Sequence, residues 1–572
     1  MSGILGLMDI AKRALAAEQL AVEVTSHNIS NVNTPGYSRQ TPVFETSMAL
    51  PSPYGPLGYG VNVTGISRAF DPFVAARLDE NTSSMSYYKS LAADLDQVAG
   101  IFNETQDGGL NELLSKFWDA WQDLADNPSG AGERQSLLTQ AENLTDAISF
   151  RANQLVTFRT SVTQRLGPTI DEINSHAARI AELNREIKAT ETPEQQANDL
   201  RDQRQAELNE LSELIGIHYY TTGDGTINVT LANGTSVVEG VNAWSFRYEI
   251  SPLDKVSVIW QGPGGTEQDV TSGLSGGQLS AQIDIRDTLL PQYQTSLDSL
   301  ARELIAGVNA QHSQGVGLEM LSTATSSYFV NDPSVALINN PSLTFGDRIA
   351  AGTFVVHVED GSGVSTPTTI TIGAGTTLNS LAADLNAVAG ISATIVTTGT
   401  ENRLQITADS GYSFGFSEDT SNVLMGLGVN TFFKGDNAYG IGVNDAVAQN
   451  ANLIAAGQID PTTGAHAVGD NRNALVLADL GDQPVGPGGL TYADAYRQLV
   501  TDIGLDTEKA GSNQTYYQGL VDQLSQLRDS VSGVSLDEEL TNLIKFQRAY
   551  QAAAQMVTVA DELLQTLLTL KS

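Results

Sequence analysis

The feature that most restricts this chain is a matched pair of apolar stripes at its two ends. Near the start, Ile4, Met8, Ala11, Leu15, Val22 and Ile29 recur at spacings of three, four and seven, one face of a helix. Near the end, Leu536, Leu540, Leu543, Tyr550, Ala554, Val557, Leu564 and Leu568 repeat the rhythm in a stretch without Gly or Pro. "SLDE" at 535–538 predicts a capping box at the head of this second helix, with Glu538 reaching back to Ser535. Neither helix has a sequence neighbour long enough to cover its stripe. They are expected to pack on each other, or on other copies of the chain.

Between these ends the pattern changes repeatedly. Residues 82–215 read as long amphipathic helices separated by "NPSGAG", "GP" and "TETPEQ". Residues 218–270 alternate with Gly-Asp-Gly and Asn-Gly turns, as a small antiparallel β unit does. Helix returns over 276–315, β pattern over 345–430 around one helix ("TLNSLAADLNAVAG"), and helix again over 443–533. The predicted fold class is multidomain α+β. A coiled-coil stem is formed by 1–40 with 535–572, and a long-helix bundle by 41–215, 276–344 and 441–534. Mainly β insertions lie at 216–275 and 345–440, the latter with a β-α-β module.

At 572 residues the chain exceeds what one core can hold. Its 66 acidic against 30 basic side chains give a net charge of −36, which argues against nucleic acid and anionic membrane surfaces as partners. Cysteine is absent, so disulfides, thiolate metal sites and cysteine nucleophiles are excluded. The first residues lack the pattern of a cleaved Sec signal, and no apolar run approaches the roughly 18 residues of a membrane span. No P-loop, HExxH or dinucleotide fingerprint is present, and the six histidines lie far apart in sequence. "GLSGG" at 273–277 matches G-x-S-x-G only formally, because no apolar strand precedes it. No catalytic, cofactor-binding or metal residue is predicted, and no cofactor.

"SHNISNVNTPGYSRQ" at 26–40 follows the first helix. Ser26 and His27 cannot face each other on a helix. Asn28, Asn31 and Asn33 suit a helix end and a tight corner. Pro35 and Gly36 suit the second and third positions of a turn, and Tyr37 leads into an extended segment. The stretch is predicted to be a helix-to-strand corner.

"NISNVNTPGYSRQ" at 28–40 resembles the N-terminal signature of the bacterial flagellar rod, hook and hook-associated proteins. "LDEELTNLIKFQRAYQAAAQMVTVADELLQTLL" at 536–568 resembles their C-terminal signature. The blocks at 276–315 and 424–457 are similar to segments of the hook-associated members, and 352–408 to the small insertion module of flagellins and filament-cap proteins.

The resemblance implies a structural, non-enzymatic protein that forms a ring at the hook–filament junction and acts as a mechanical adaptor. Its terminal helices would form an inner tube. Ile4, Met8, Leu15, Val22, Ile29, Leu536, Leu540, Leu543, Tyr550, Val557, Leu564 and Leu568 are then the expected assembly interface. The implied partners are other copies, hook protein, a filament-side hook-associated protein, the flagellar type III export apparatus and a cytoplasmic chaperone holding the C-terminal helix. The implied location is extracellular, on the flagellum. Hook or distal-rod protein is the close alternative. An axial scaffold displaying an enzymatic or glycan-binding β domain is the alternative of another class.

Overall fold

The computed structural model describes residues 2–49, 55, 58–104, 108–192 and 195–570. The chain divides into two compact units, one of Met1–Asp94, Ser161–Thr288 and Glu508–Ser572, the other of Leu95–Thr160 and Leu289–Thr507. The dividing points fall inside the helices Pro72–Ile101, Ala131–Thr190 and Tyr492–Ser532 and in the π-turn Ile285–Leu289 rather than in loops. The fold class is multidomain α+β.

In the first unit, the N-terminal helix Ser2–Ser30 packs along the C-terminal helix Leu536–Leu570. They run antiparallel, since Asn28 reaches Glu539 and the charge of Lys545 acts on Glu18. A hairpin follows the first helix: Gln40–Thr46 pairs antiparallel with Val61–Arg68, from Gln40↔Arg68 to Thr46↔Val61, with a bulge between Val43 and Phe44. The capping box is not formed; Glu538 turns instead to Arg39, whose guanidinium offers a charged partner in place of a backbone N–H.

Ala131–Thr190 is one helix of 60 residues that continues through Gly167-Pro168, where the sequence predicts a break. The residue ahead of the proline is glycine, so no Cβ meets the pyrrolidine ring. Leu166, Ile170 and Ile173 are buried on both sides of the dipeptide, so packing supports the helix through it. From there a shared core continues through helix Asn198–Leu214 (Leu208, Leu211) into two small antiparallel sheets (Val229, Val238, Phe246, Val258). One sheet has four strands, His218–Thr221, Ile227–Thr230, Ser236–Glu239 and Asn242–Ala243. The other has three, Ser245–Ile250, Val256–Gln261 and Glu267–Asp269. The β unit therefore has no core of its own.

The second unit packs helices Leu110–Asp126, Leu290–His312 and Arg472–Asp479 around an aromatic centre. Phe117, Trp121, Phe432 and Phe433 lie there within 4.9–6.4 Å, centroid to centroid, of a ring neighbour. The stretch 443–533, expected to be helical throughout, holds before Tyr492 only the short α-helices Asp445–Gln449 and Arg472–Asp479 and the single 3-10 turns Ala451–Leu453 and Pro487–Gly489. Pro461, Gly464, Gly469, Pro484 and Pro487 interrupt it. The β part has Gly352–Glu359 between Ser365–Ile372 and Ser413–Ser417, and Glu401–Ala408 between Ile391–Thr398 and Thr323–Thr325. Its one longer helix, Leu378–Asn386, is capped reciprocally by Thr377 and Ser380.

Candidate assembly site at the helix corner

The corner begins where the first helix ends. Ser26 and Ser30 turn their hydroxyls back onto the carbonyls of Val22 and Ser26, so neither is an available nucleophile. Asn31 caps by donating from Nδ2 to the His27 carbonyl at 3.0 Å, and Thr34 donates to Asn31 Oδ1 at 3.1 Å. The turn Thr34–Tyr37 closes with Tyr37 N donating to Thr34 O at 3.2 Å. Gly36 stands at φ 76°, a value that a Cβ would make strained. Asn33 and Pro35 are exposed at its tip.

Asn28 is the hub. It is 1 % exposed and satisfies its whole amide. Nδ2 donates to Gln40 O at 2.8 Å and to Glu539 Oε2 at 3.0 Å. Oδ1 accepts from Gln40 N at 2.9 Å and from Tyr37 OH at 2.8 Å. Since Tyr37 donates to Asn28, its oxygen accepts from His27 Nδ1, 3.1 Å away, and the two rings meet edge-on. His27 and Tyr37 thus brace the turn. Burial, with Asp199, Asp202 and Glu539 nearby, raises the Tyr37 phenol well above its ordinary pKa and keeps it a donor.

Charge closes the corner against the C-terminal helix. Arg39 Nε donates to the buried Glu539 Oε1 at 2.8 Å, its Nη1 lies 3.0 Å from Glu538 Oε2, and its backbone N–H donates to Ser532 O at 2.8 Å. On the other side, Asp202 of the 198–214 helix accepts from Ser38 N at 2.9 Å, Ser38 Oγ at 2.8 Å and Arg68 Nη1 at 2.6 Å. Burial pushes the Asp202 carboxyl up and the Arg68 guanidinium down, each against the pull of its partner. Gln40 Nε2 donates to Asp199 at 2.7 Å. Four elements are pinned here: both terminal helices, the hairpin and the 198–214 helix. A cleft of about 700 Å³ lies alongside, bounded by Asn31–Arg39, Gln205, Asn209 and Arg528–Glu538.

The stripe residues divide. The seam between the terminal helices is made of small side chains, with Ala11, Ala17, Ala21, Ala553 and Ala560 buried beside Val24 and Asn28. Ile4, Met8, Leu15, Val22, Ile29, Leu543, Val557 and Leu564 are half-buried at its margins. Leu536, Leu540, Tyr550 and Leu568 are 41–69 % exposed, as are Ile544 and Leu563 within that range. An antiparallel pair buries one narrow face of each helix, and the large apolar side chains remain outside it.

Glu539, Asp202, Asp199 and Arg68 carry much of the corner and are not singled out by the sequence pattern. Their partners lie 134 to 511 positions away, beyond any local spacing rule. Chemistry of other kinds is not assembled. Ser275 follows the turn Thr271–Gly273, which has no buried residue, not a buried strand. Among the described residues no group of three or more His, Asp or Glu could hold a metal, and no helix is long and apolar enough to cross a membrane.

A polypeptide whose helices Ser2–Ser30 and Leu536–Leu570 form one pair behind a polar clasp is in class a multidomain α+β protein with a helical stem. Three family profiles match it: a flagellar hook-associated protein FlgK helical domain over 95–325, a flagellar basal body rod FlgEFG protein C-terminal over 526–570, and a flagella basal body rod protein over 8–37. The flagellar hook-associated protein 1 of Salmonella typhimurium is 28 % identical over 589 residues, covering 99 % of this chain and all of that protein. Its Bacillus subtilis counterpart is 25 % identical over 579 residues, covering 97 % of this chain and 96 % of that one. The solved flagellar hook junction protein of Burkholderia pseudomallei shares the fold, with a TM-score of 0.54 at 18 % identity over 80 % of this chain and 100 % of that chain. Over nearly its whole length the chain is thus similar to hook-associated protein 1 relatives, and the profile matching its middle is that of a flagellar hook-associated protein helical domain.

Proposed function

We propose that this chain is a structural subunit of the bacterial flagellum that assembles with copies of itself as a ring between hook and filament and acts there as a mechanical adaptor. The observation that carries the reading is the terminal helix pair, with its alanine seam closed and its large apolar side chains still outward. In a lone chain that face exposes apolar area to water. In a ring, each copy covers its neighbour's. The proposed place is supported by the names of relatives, which are called hook-associated protein, and of a structural neighbour, called a hook junction protein. Hook protein on one side and a filament-side hook-associated protein on the other are the expected neighbours. Export through the flagellar type III apparatus, with a cytoplasmic chaperone on the C-terminal helix, belongs to the same reading. A non-catalytic role belongs to the same reading.

The test is to replace outward residues that the monomer does not need. Leu540→Asp and Tyr550→Asp are expected to leave thermal unfolding of the purified protein within about 1 kcal/mol of the parent. They should also abolish its incorporation at the junction, seen by immunogold labelling of isolated flagella. Normal incorporation of both variants would remove the C-terminal helix from the interface. Labelling along the whole hook would favour a hook protein instead.

A further inference from the structure

A second pocket, away from the corner, has a chemistry of its own. It lies in the first unit, has a volume of about 320 Å³, and is lined by Ser84, Tyr87, Tyr88, Ser280, Asp284 and Tyr517 among others. The Tyr88 and Tyr517 rings are nearly parallel, 12° apart at 5.6 Å between centroids, and Tyr87 stands edge-on to Tyr88 at 4.9 Å. Tyr87 OH donates to Asp284 Oδ2 at 2.8 Å and so orients the carboxylate. Among the described residues, none donates a hydrogen bond to the other carboxylate oxygen and no basic side chain is paired with it. Ser280 is 8 % exposed, yet its hydroxyl is buried without a partner. A buried hydroxyl left unmatched costs free energy that a ligand would recover. Asp284 also sits where helix Gly277–Asp284 gives way to the π-turn Ile285–Leu289, a distortion that re-aims side chains.

We propose that this pocket binds the guanidinium of an arginine side chain presented by another polypeptide. The planar cation would stack on the tyrosine face, donate to the open oxygen of Asp284 and donate to Ser280 Oγ. Charge complementarity favours a cation. Lys and Arg are absent from the lining, and the chain as a whole is strongly acidic. An anionic ligand meets no donor charge here. A neutral sugar could use the aromatic faces but not the unpaired carboxylate charge. The proposal stands apart from the assembly reading and fails or succeeds without it.

The experiment uses the full-length protein and two capped tripeptides, glycyl-arginyl-glycine and its citrulline isostere, followed by calorimetric titration and saturation-transfer NMR. The arginine peptide is expected to bind saturably, and the citrulline peptide at least about tenfold more weakly. Asp284→Asn keeps the acceptor for Tyr87 and removes the charge, so it should lower arginine affinity about tenfold with an unchanged melting profile. Ser280→Ala should lower it by a smaller factor, about threefold. Asp537→Asn, on the exposed face of the C-terminal helix, controls for the overall acidity and should change nothing. Equal binding of both peptides would mean that the pocket does not read charge and would overturn the proposal. So would an Asp284→Asn variant that binds as the parent does, or no saturable binding at all.

Discussion

Replacing Asn28 by aspartate exchanges one nitrogen for one oxygen, and at this position that opens the corner. The two hydrogen bonds that Nδ2 donates, to Gln40 O and Glu539 Oε2, are lost, and a second carboxylate is set against a buried one. The expected cost is about 3 kcal/mol, from lost buried donors and like-charge repulsion. It should appear as faster hydrogen exchange over 536–545, and Glu539→Gln in the same chain should restore part of the protection by returning a donor. Unchanged exchange in Asn28→Asp would deny Asn28 its role as hub. The turn was readable in the sequence because its rules are local: Asn, Pro and Gly impose backbone angles on their immediate neighbours. Glu539 was not, since it reads as an ordinary first-turn acid until the fold brings Arg39 and Asn28 to it.

At the level of elements, the two terminal helices meet through alanines, and that choice of face has a measurable consequence. Ala553 is 2 % exposed in the seam. Ala553→Leu adds three carbons inside the closed seam, with an expected cost of about 2 kcal/mol from overpacking. Protease cleavage within 2–30 and 536–570 should quicken, while the second unit melts as before. Unaltered cleavage would mean that the pair does not depend on its small seam. The period of both stripes was legible from apolar spacing, and with it the helical character of the ends. The inward face was not, because spacing ranks leucine and valine above alanine whereas close packing of two helices selects the smaller side chain. The same limit explains Ala131–Thr190. Gly-Pro reads as a break, and only burial of Leu166, Ile170 and Ile173 on both sides overrules it. Alternation and turn residues marked a small β unit over 216–275, but the core that its sheets share with the helices has no local signal.

For the whole molecule, the two units carry buried titratable groups whose linkage to pH runs in opposite directions. In the first, burial pushes the Asp79 carboxyl up from 3.8 to about 7, although Tyr219 OH donates to it at 2.6 Å. The protonated form is the one that the fold favours. Its contribution is therefore full below pH 3.8 and is lost as pH rises through 7, an effect of about 4 kcal/mol. In the second, His312 is fully buried as the neutral ring, Nδ1 donating to Asn430 O at 2.8 Å and Nε2 accepting from Ala455 N at 3.0 Å. Burial lowers its pKa from 6.5 to about 4, so its contribution is full above pH 6.5 and is lost as pH falls through 4, by about 3 kcal/mol. Calorimetry should accordingly find Asp79→Asn gaining on the parent as pH rises from 5 to 8. The deficit of His312→Asn should shrink as pH falls from 6.5 to 4. A pH-independent difference in either variant would refute that linkage. The bond from Asn28 to Glu539 also fixes an order in time. It joins positions 511 apart, so it cannot close until almost the entire polypeptide is available. The cost of bringing such distant positions together falls once the intervening units have folded and shortened the path. The helix pair is then the last part of the fold to be secured.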